Sequence, residues 1–144
     1  MQTDLGDILA SKGTAVRTVE PTCTVARAVK AMAEEGIGAL PVVDCGMLVG
    51  IFSERDVLIR LVNNRLDPDA TMVAEVMSKN PVTGTRGMTL FGAMELMSAK
   101  RFRHLPIVQG DKLIGIVSMR DITARIISDQ RESIEVMIRA RVNV

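Results

Sequence analysis

The chain has 144 residues, 47% hydrophobic and 24% charged, an ordinary globular balance that allows one core or two small halves. A net charge of +1 excludes a global field for DNA or an anionic membrane, and three Phe with no Tyr or Trp leave few stacking platforms for single-stranded nucleic acid. The N-terminus lacks a basic-then-apolar leader and no apolar run approaches a membrane span, so a cytoplasmic protein is expected, without membrane insertion or a nucleic-acid partner.

In chain order, an entry segment DILASK (7–12) leads to a short strand and then to a helix that Thr24 can cap. Val25, Ala28, Val29 and Met32 give that helix an apolar stripe at i, i+3, i+4 and i+7. Two short apolar runs follow, Ala39 to Val43 and Met47 to Phe52, separated by Asp44-Cys45-Gly46, which predicts a hairpin. Ser53 opens a second helix with Asp56 three positions on, and Asn63 to Thr71 form a polar connection.

The same order then recurs. EVMSK (75–79) matches the entry segment if a two-residue gap is allowed. Thr89 caps a helix with Leu90, Ala93, Met94 and Met97 on its apolar face, and Leu105–Val108 and Lys112–Val117 flank the turn Gln109-Gly110-Asp111. Ser118 and Asp121 open the last helix. A shift of 65 residues aligns 16–60 with 81–125 without a gap, pairing Thr24 with Thr89, Pro41 with Pro106, Gly50 with Gly115, Ser53 with Ser118, Arg55 with Arg120 and Asp56 with Asp121. Self-similarity of this kind marks one supersecondary unit used twice. Two units that each leave a sheet face uncovered are expected to pack sheet to sheet about a pseudo-twofold axis.

The pattern strand–helix–[I/F]-x-x-L-P-[VI]-V–turn–L-[VI]-G-I-x-S-x-R-D–helix resembles the cystathionine-β-synthase (CBS) repeat, in tandem over about residues 5 to 135. The resemblance implies an α+β fold of two β-α-β-β-α repeats, a pair known as a Bateman module. The expected boundaries are 5–66 for the first repeat, 67–75 for a linker and entry helix, 76–130 for the second repeat and 131–144 for a helical extension. It further implies a regulatory module with no catalytic residues and no required cofactor, which binds an adenine nucleotide (AMP, ADP, ATP or NAD) between the repeats. With no effector domain in the sequence, its signal would pass in trans to an effector protein.

Two readings of S-x-x-D are open. The side chains can form a capping box at the helix start, or Asp56 and Asp121 can each accept from the two hydroxyls of a ribose. Gly50 and Gly115 allow close approach of a ligand to the backbone. By the resemblance, Arg103 and His104 reach the phosphates, with Ser118 and Asp121 on the ribose and Arg120 a further cation. His104, the single histidine, is otherwise a half-buried polar residue at a strand start. Gly38, Ala39 and Leu40, with the loop from Gly13 through Thr14 to Val16, would form a small apolar wall for the purine. A mirror site would use Ser53, Asp56 and Thr83, with residues near Arg103 and His104 opposite. It lacks its own basic pair, so weaker binding or an uncharged extension is expected there.

Gly36-Ile37-Gly38 does not continue as a dinucleotide fingerprint, since Pro41 stands at the third glycine position. The Cys and His spacing fits no metal site, and Cys23 and Cys45 read as reduced thiols. Ile127, Ile134, Met137, Ile138 and Arg141 recur at helical spacing beyond the second repeat. They fit a homodimer contact, or an arm packed back on the same chain.

Overall fold

The computed structural model describes residues 3–13 and 15–142. Its elements in chain order are α1 (Leu5–Lys12), α2 (Val25–Glu35), β1 (Ala39–Asp44), β2 (Met47–Ser53), α3 (Glu54–Asp56), α4 (Val73–Val76), β3 (Ser78–Lys79), α5 (Leu90–Lys100), β4 (His104–Gln109), β5 (Lys112–Ser118) and α6 (Met119–Val142). Helix α3 continues as wider π-helical turns over Val57–Val62. The fold is α+β, and the two repeats share the order helix, two-stranded hairpin, helix.

Local chemistry sets each helix end. The Thr24 hydroxyl accepts from the Arg27 N–H at 3.3 Å, and the Thr89 hydroxyl accepts from Gly92 at 3.0 Å, so each satisfies one orphan donor of its helix. Helix α2 buries Val25, Ala28, Ala31 and Met32; Val29, expected on that face, is 36% exposed at its edge. Helix α5 buries Leu90, Ala93 and Met97, with Met94 packed at the margin. Both helices stop on a left-handed residue: Gly36 at φ 64° in the first repeat, Arg101 at φ 59° in the second.

The hairpins match the sequence reading. β1 pairs antiparallel with β2 from Ala39↔Ser53 to Asp44↔Met47, and β4 with β5 from His104↔Ser118 to Gln109↔Lys112. Each carries an irregularity at the equivalent place, after Val42 and after Ile107. The sheet order is β1-β2-β5-β4, joined between the repeats by the single pair Met47↔Lys112, with β3 added on β2. The strand expected ahead of α2 and α5 is reduced to one parallel bridge per repeat, Val19↔Val42 and Gly84↔Ile107. The chain turns away at once, at Pro21-Thr22 and at Arg86-Gly87, before a ladder can extend.

Burial divides into two cores. The first gathers α2, the β1–β2 hairpin, Leu61 and α4; the second gathers α5, the β4–β5 hairpin, Ile122 and α1. Helix α1 therefore buries Leu5, Ile8 and Leu9 in the core of the repeat that lies farther along the chain. Backbone bonds fix this crossing. Leu5 N–H donates to the Met88 carbonyl at 2.9 Å, and Gly6 N–H to that of Arg86 at 2.9 Å. The counterpart α4 is held by Val73 N–H on the Cys23 carbonyl at 2.8 Å.

This crossing also explains Gly50 and Gly115, each of which has an entry segment of the chain packed where a side chain would be. A Cβ on Gly115 would strike Leu9 of α1, and one on Gly50 would meet the Ser78 carbonyl at 2.9 Å and the Met77 side chain. The glycines admit the chain's own entry segments.

Candidate functional site

Two clefts of similar size lie where the repeats face each other, one of about 640 Å³ beside Asp121 and one of about 630 Å³ beside Asp56. They share Gly38, Glu54, Arg103 and His104 along their common rim. The repeat offset explains the sharing. Glu54 N–H donates to the Gly38 carbonyl at 3.0 Å, and its counterpart Met119 N–H donates to Arg103 at 2.9 Å. Strand entries and helix starts of the two halves thus alternate around one axis. Gly38 makes room there, since a Cβ would come within 3.2 Å of the His104 ring and 3.4 Å of the Glu54 carboxylate.

The Asp121 cleft brings together Val16, Gly38, Ala39, Arg103, His104, Ser118, Arg120 and Asp121, as the sequence suggested. Leu40 does not belong with them. The pleat that turns Ala39 toward the cleft turns Leu40 the other way, and it is fully buried in the first core. Thr14 lies outside the described residues. Ser118 and Asp121 form a capping box: Ser118 N–H donates to Asp121 Oδ2 at 2.9 Å, and Asp121 N–H donates to Ser118 Oγ at 3.0 Å. Lys12, which sequence reasoning missed, donates to Asp121 Oδ2 at 2.8 Å and to the Ile116 carbonyl at 3.0 Å. Burial raises the Asp121 pKa, but the Lys12 hydrogen bond, the Ser118 N–H and the Lys12 charge outweigh it and hold the carboxyl below its usual value. A ribose that used Asp121 would have to share it with, or displace, this ammonium.

The Asp56 cleft contains Ser53, Asp56, Ile59, Arg55, Lys79 and the run Lys100-Arg101-Phe102. Thr83 is not part of its lining; Asn80, Pro81 and Val82 are. Asp56 accepts from Ser53 N–H at 2.9 Å and from the Ser53 hydroxyl at 3.2 Å. Arg60 approaches its Oδ1 at 3.8 Å and donates to the carbonyls of Val76 and Met77 at 3.1 and 2.7 Å, tying α4 to this corner. Burial pushes the Asp56 pKa up, and Ser53, Arg60 and Arg55 only partly offset it.

The mirror cleft was expected to lack a basic pair of its own, with residues near Arg103 and His104 opposite; it shares Arg103 and His104 with the Asp121 cleft and adds Lys100 and Arg101. Their counterparts in the Asp121 cleft are Glu35 and Gly36. His104 supplies hydrogen bonding at neutral pH more than charge. Burial lowers its pKa, against the pull of Glu54 and Asp121.

This doubled architecture coincides with known proteins. The family model for the CBS domain matches residues 5–63 and 73–128. The chain belongs to the CBS-domain family. A CBS domain-containing protein of Bacillus subtilis, YhcV, is 38% identical over 117 residues, 81% of this chain and 83% of that protein. A solved protein with CBS domains from Burkholderia ambifaria is 37% identical at a TM-score of 0.85, covering 89% of this chain and 96% of the other. The CBS domain pair of protein MJ0100 was solved in complex with 5-methylthioadenosine and S-adenosylmethionine. It is 26% identical at a TM-score of 0.78 and covers 90% and 99% of the two chains. A CBS pair is a regulatory module. Among the described residues, no helix of this CBS pair is long and apolar enough to cross a membrane.

Proposed function

We propose that this CBS pair senses an adenine nucleotide (AMP, ADP, ATP or NAD) in the clefts between its repeats and passes the occupancy to an effector protein in trans. The observation that carries this is the rim shared by both clefts. A ligand there touches the strand entry of one repeat and the helix start of the other, so its binding energy acts directly on the angle between repeats. The Ser/Asp pairs offer ribose partners, Gly38 and Ala39 offer a small wall for a purine, and Arg103 offers a phosphate contact. The adenosine compounds bound by the MJ0100 pair agree with this chemistry. The protein acts in the cytoplasm as a homodimer, and it binds without turning its ligand over.

The test is a thermal-shift panel of adenosine, AMP, ADP, ATP, NAD and S-adenosylmethionine, with product analysis of each binder. A ligand at 100 times its dissociation constant adds about 2.7 kcal/mol, a shift of several degrees for a fold of this size. A melting point that no adenosine compound moves would overturn the reading. Appearance of product would replace it with an enzyme.

A further inference from the structure

We infer that the two clefts are specialised by charge, and that the Asp56 cleft is a site for a di- or triphosphate chain. The inference rests on the nucleotide reading above but names the chemistry that distinguishes one cleft from the other. In the Asp121 cleft most charge is already spent. Lys12 is paired with Asp121, and Arg17 lies 3.8 Å from Glu35, which leaves Arg120 and Arg103, the latter shared with the other cleft. In the Asp56 cleft the one lining carboxylate besides Glu54 is Asp56, which has Arg60 beside it. Arg55, Lys79, Lys100, Arg101 and Arg103 line the same space, and none of them forms an ion pair among the described residues. Five unpaired cations around a cavity of about 630 Å³ exceed what one phosphate group needs, and match the charge of a chain of two or three.

The backbone supplies a second, independent observation. Arg101 ends α5 in the left-handed conformation, φ 59°, at the position where the first repeat uses Gly36. A side chain is disfavoured in that conformation and glycine is not. The second repeat nonetheless carries an arginine there, on the lip of the Asp56 cleft, with its carbonyl 3.4 Å from the Arg55 guanidinium. Of the four described non-glycine residues with positive φ, Cys45, Arg65, Asn80 and Arg101, the last two line this cleft, and backbone held in a disfavoured conformation is found most often at ligand-contacting positions. The equivalent position on the other cleft is Gly36.

Calorimetric titration of adenosine, AMP, ATP and inorganic tripolyphosphate tests this at low and at moderate salt. The proteins are the wild type, Arg101→Gly and Lys100→Glu/Arg101→Gly, which writes the first repeat's residues into the second. Because glycine suits φ 59°, Arg101→Gly should melt no lower than wild type. The wild type should bind ATP at least about tenfold more tightly than AMP, and salt should weaken ATP most. Arg101→Gly should weaken ATP and tripolyphosphate by about tenfold, and the double variant further, with adenosine unchanged. ATP binding that ignores both variants, or adenosine binding that falls in parallel, overturns the inference and leaves the nucleotide reading standing. If tripolyphosphate binds through Arg101 while every adenosine compound fails, the cleft is a polyphosphate site and the nucleotide reading falls. If nothing binds, both fall.

Discussion

Asp56 and Asp121 hold equivalent positions in the two repeats, each three residues after a serine, and their pKa values shift in opposite directions. The Asp56 side chain is 8% exposed, and its folded pKa lies above the ordinary value; that of Asp121 lies below it. For Asp56 the folded state takes up its proton at higher pH than the unfolded chain. Its charge therefore opposes folding at neutral pH, and acidification toward the unfolded value of 3.8 relieves the cost. For Asp121 the sign reverses. Its contribution is present above 3.8 and is lost as pH falls through the lower folded value. Asp56→Asn keeps an acceptor for Ser53 and removes a buried charge, so its cost at pH 7 is expected to stay below about 1 kcal/mol. Asp121→Asn strands Lys12, and since that lysine is 39% exposed, solvent screening limits the loss to about 0.5–1 kcal/mol. Urea unfolding at pH 7 and at pH 3.5 should show the Asp121→Asn deficit shrinking in acid. A deficit that is constant with pH would mean that the Lys12 pair contributes nothing. His104 follows a third course. With its folded pKa below 6.5, it disfavours folding progressively as pH falls under that value.

At the scale of elements, the crossing of α1 couples the halves. Leu5 is fully buried in the second core, with its N–H on the Met88 carbonyl, although it stands at the start of the first repeat in the chain. Leu5→Ala should cost about 2–5 kcal/mol, as large-to-small changes in a closed core do. Hydrogen exchange should show the loosening in α5, β4 and β5 before α2, β1 and β2. Faster exchange confined to residues 15–63 would mean that α1 supports its sequence neighbour instead. The long helix α6 divides in the same way. Its first turns belong to the second core through Met119, Ile122 and Ile126, Asp129 accepts from the Thr3 hydroxyl, and the turns beyond, residues 131–142, are exposed.

For the whole molecule, that projecting part of α6 is the feature the monomer does not account for. Helix α6 has 24 residues and is about 36 Å long at 1.5 Å per residue. Ile127, Ile134, Met137 and Ile138 are 52–63% exposed, so the arm does not fold back onto the described chain. Residues 127, 134 and 138 lie along one stripe, the pattern of a helix that buries a face against another. Deleting residues 127–144 is expected to lower self-association in light scattering while leaving the circular dichroism of the repeats in proportion to the residues kept. An unchanged molecular mass would remove α6 from the assembly.

Much of this protein was decided by sequence alone, because its signals are local and doubled. Thr24 and Thr89 cap helices through hydroxyls three residues from their partners, and the hairpins close over the two-residue turns 45–46 and 110–111. Ser118 and Asp121 meet within one helical turn. The 65-residue offset then fixes two equivalent units, and hence two clefts, without coordinates. Tertiary structure alone decided which segments complete which core, because α1 contacts residues more than 80 positions away. It also decided how charge divides between the clefts. Arg103 and His104 are adjacent to Leu105 in sequence, but the pseudo-twofold axis sets them on the rim of both sites. Lys12 reaches Asp121 across 109 residues. Electrostatic energy depends on distance through space and on burial, and neither follows from position in the chain when two repeats fold around a common axis.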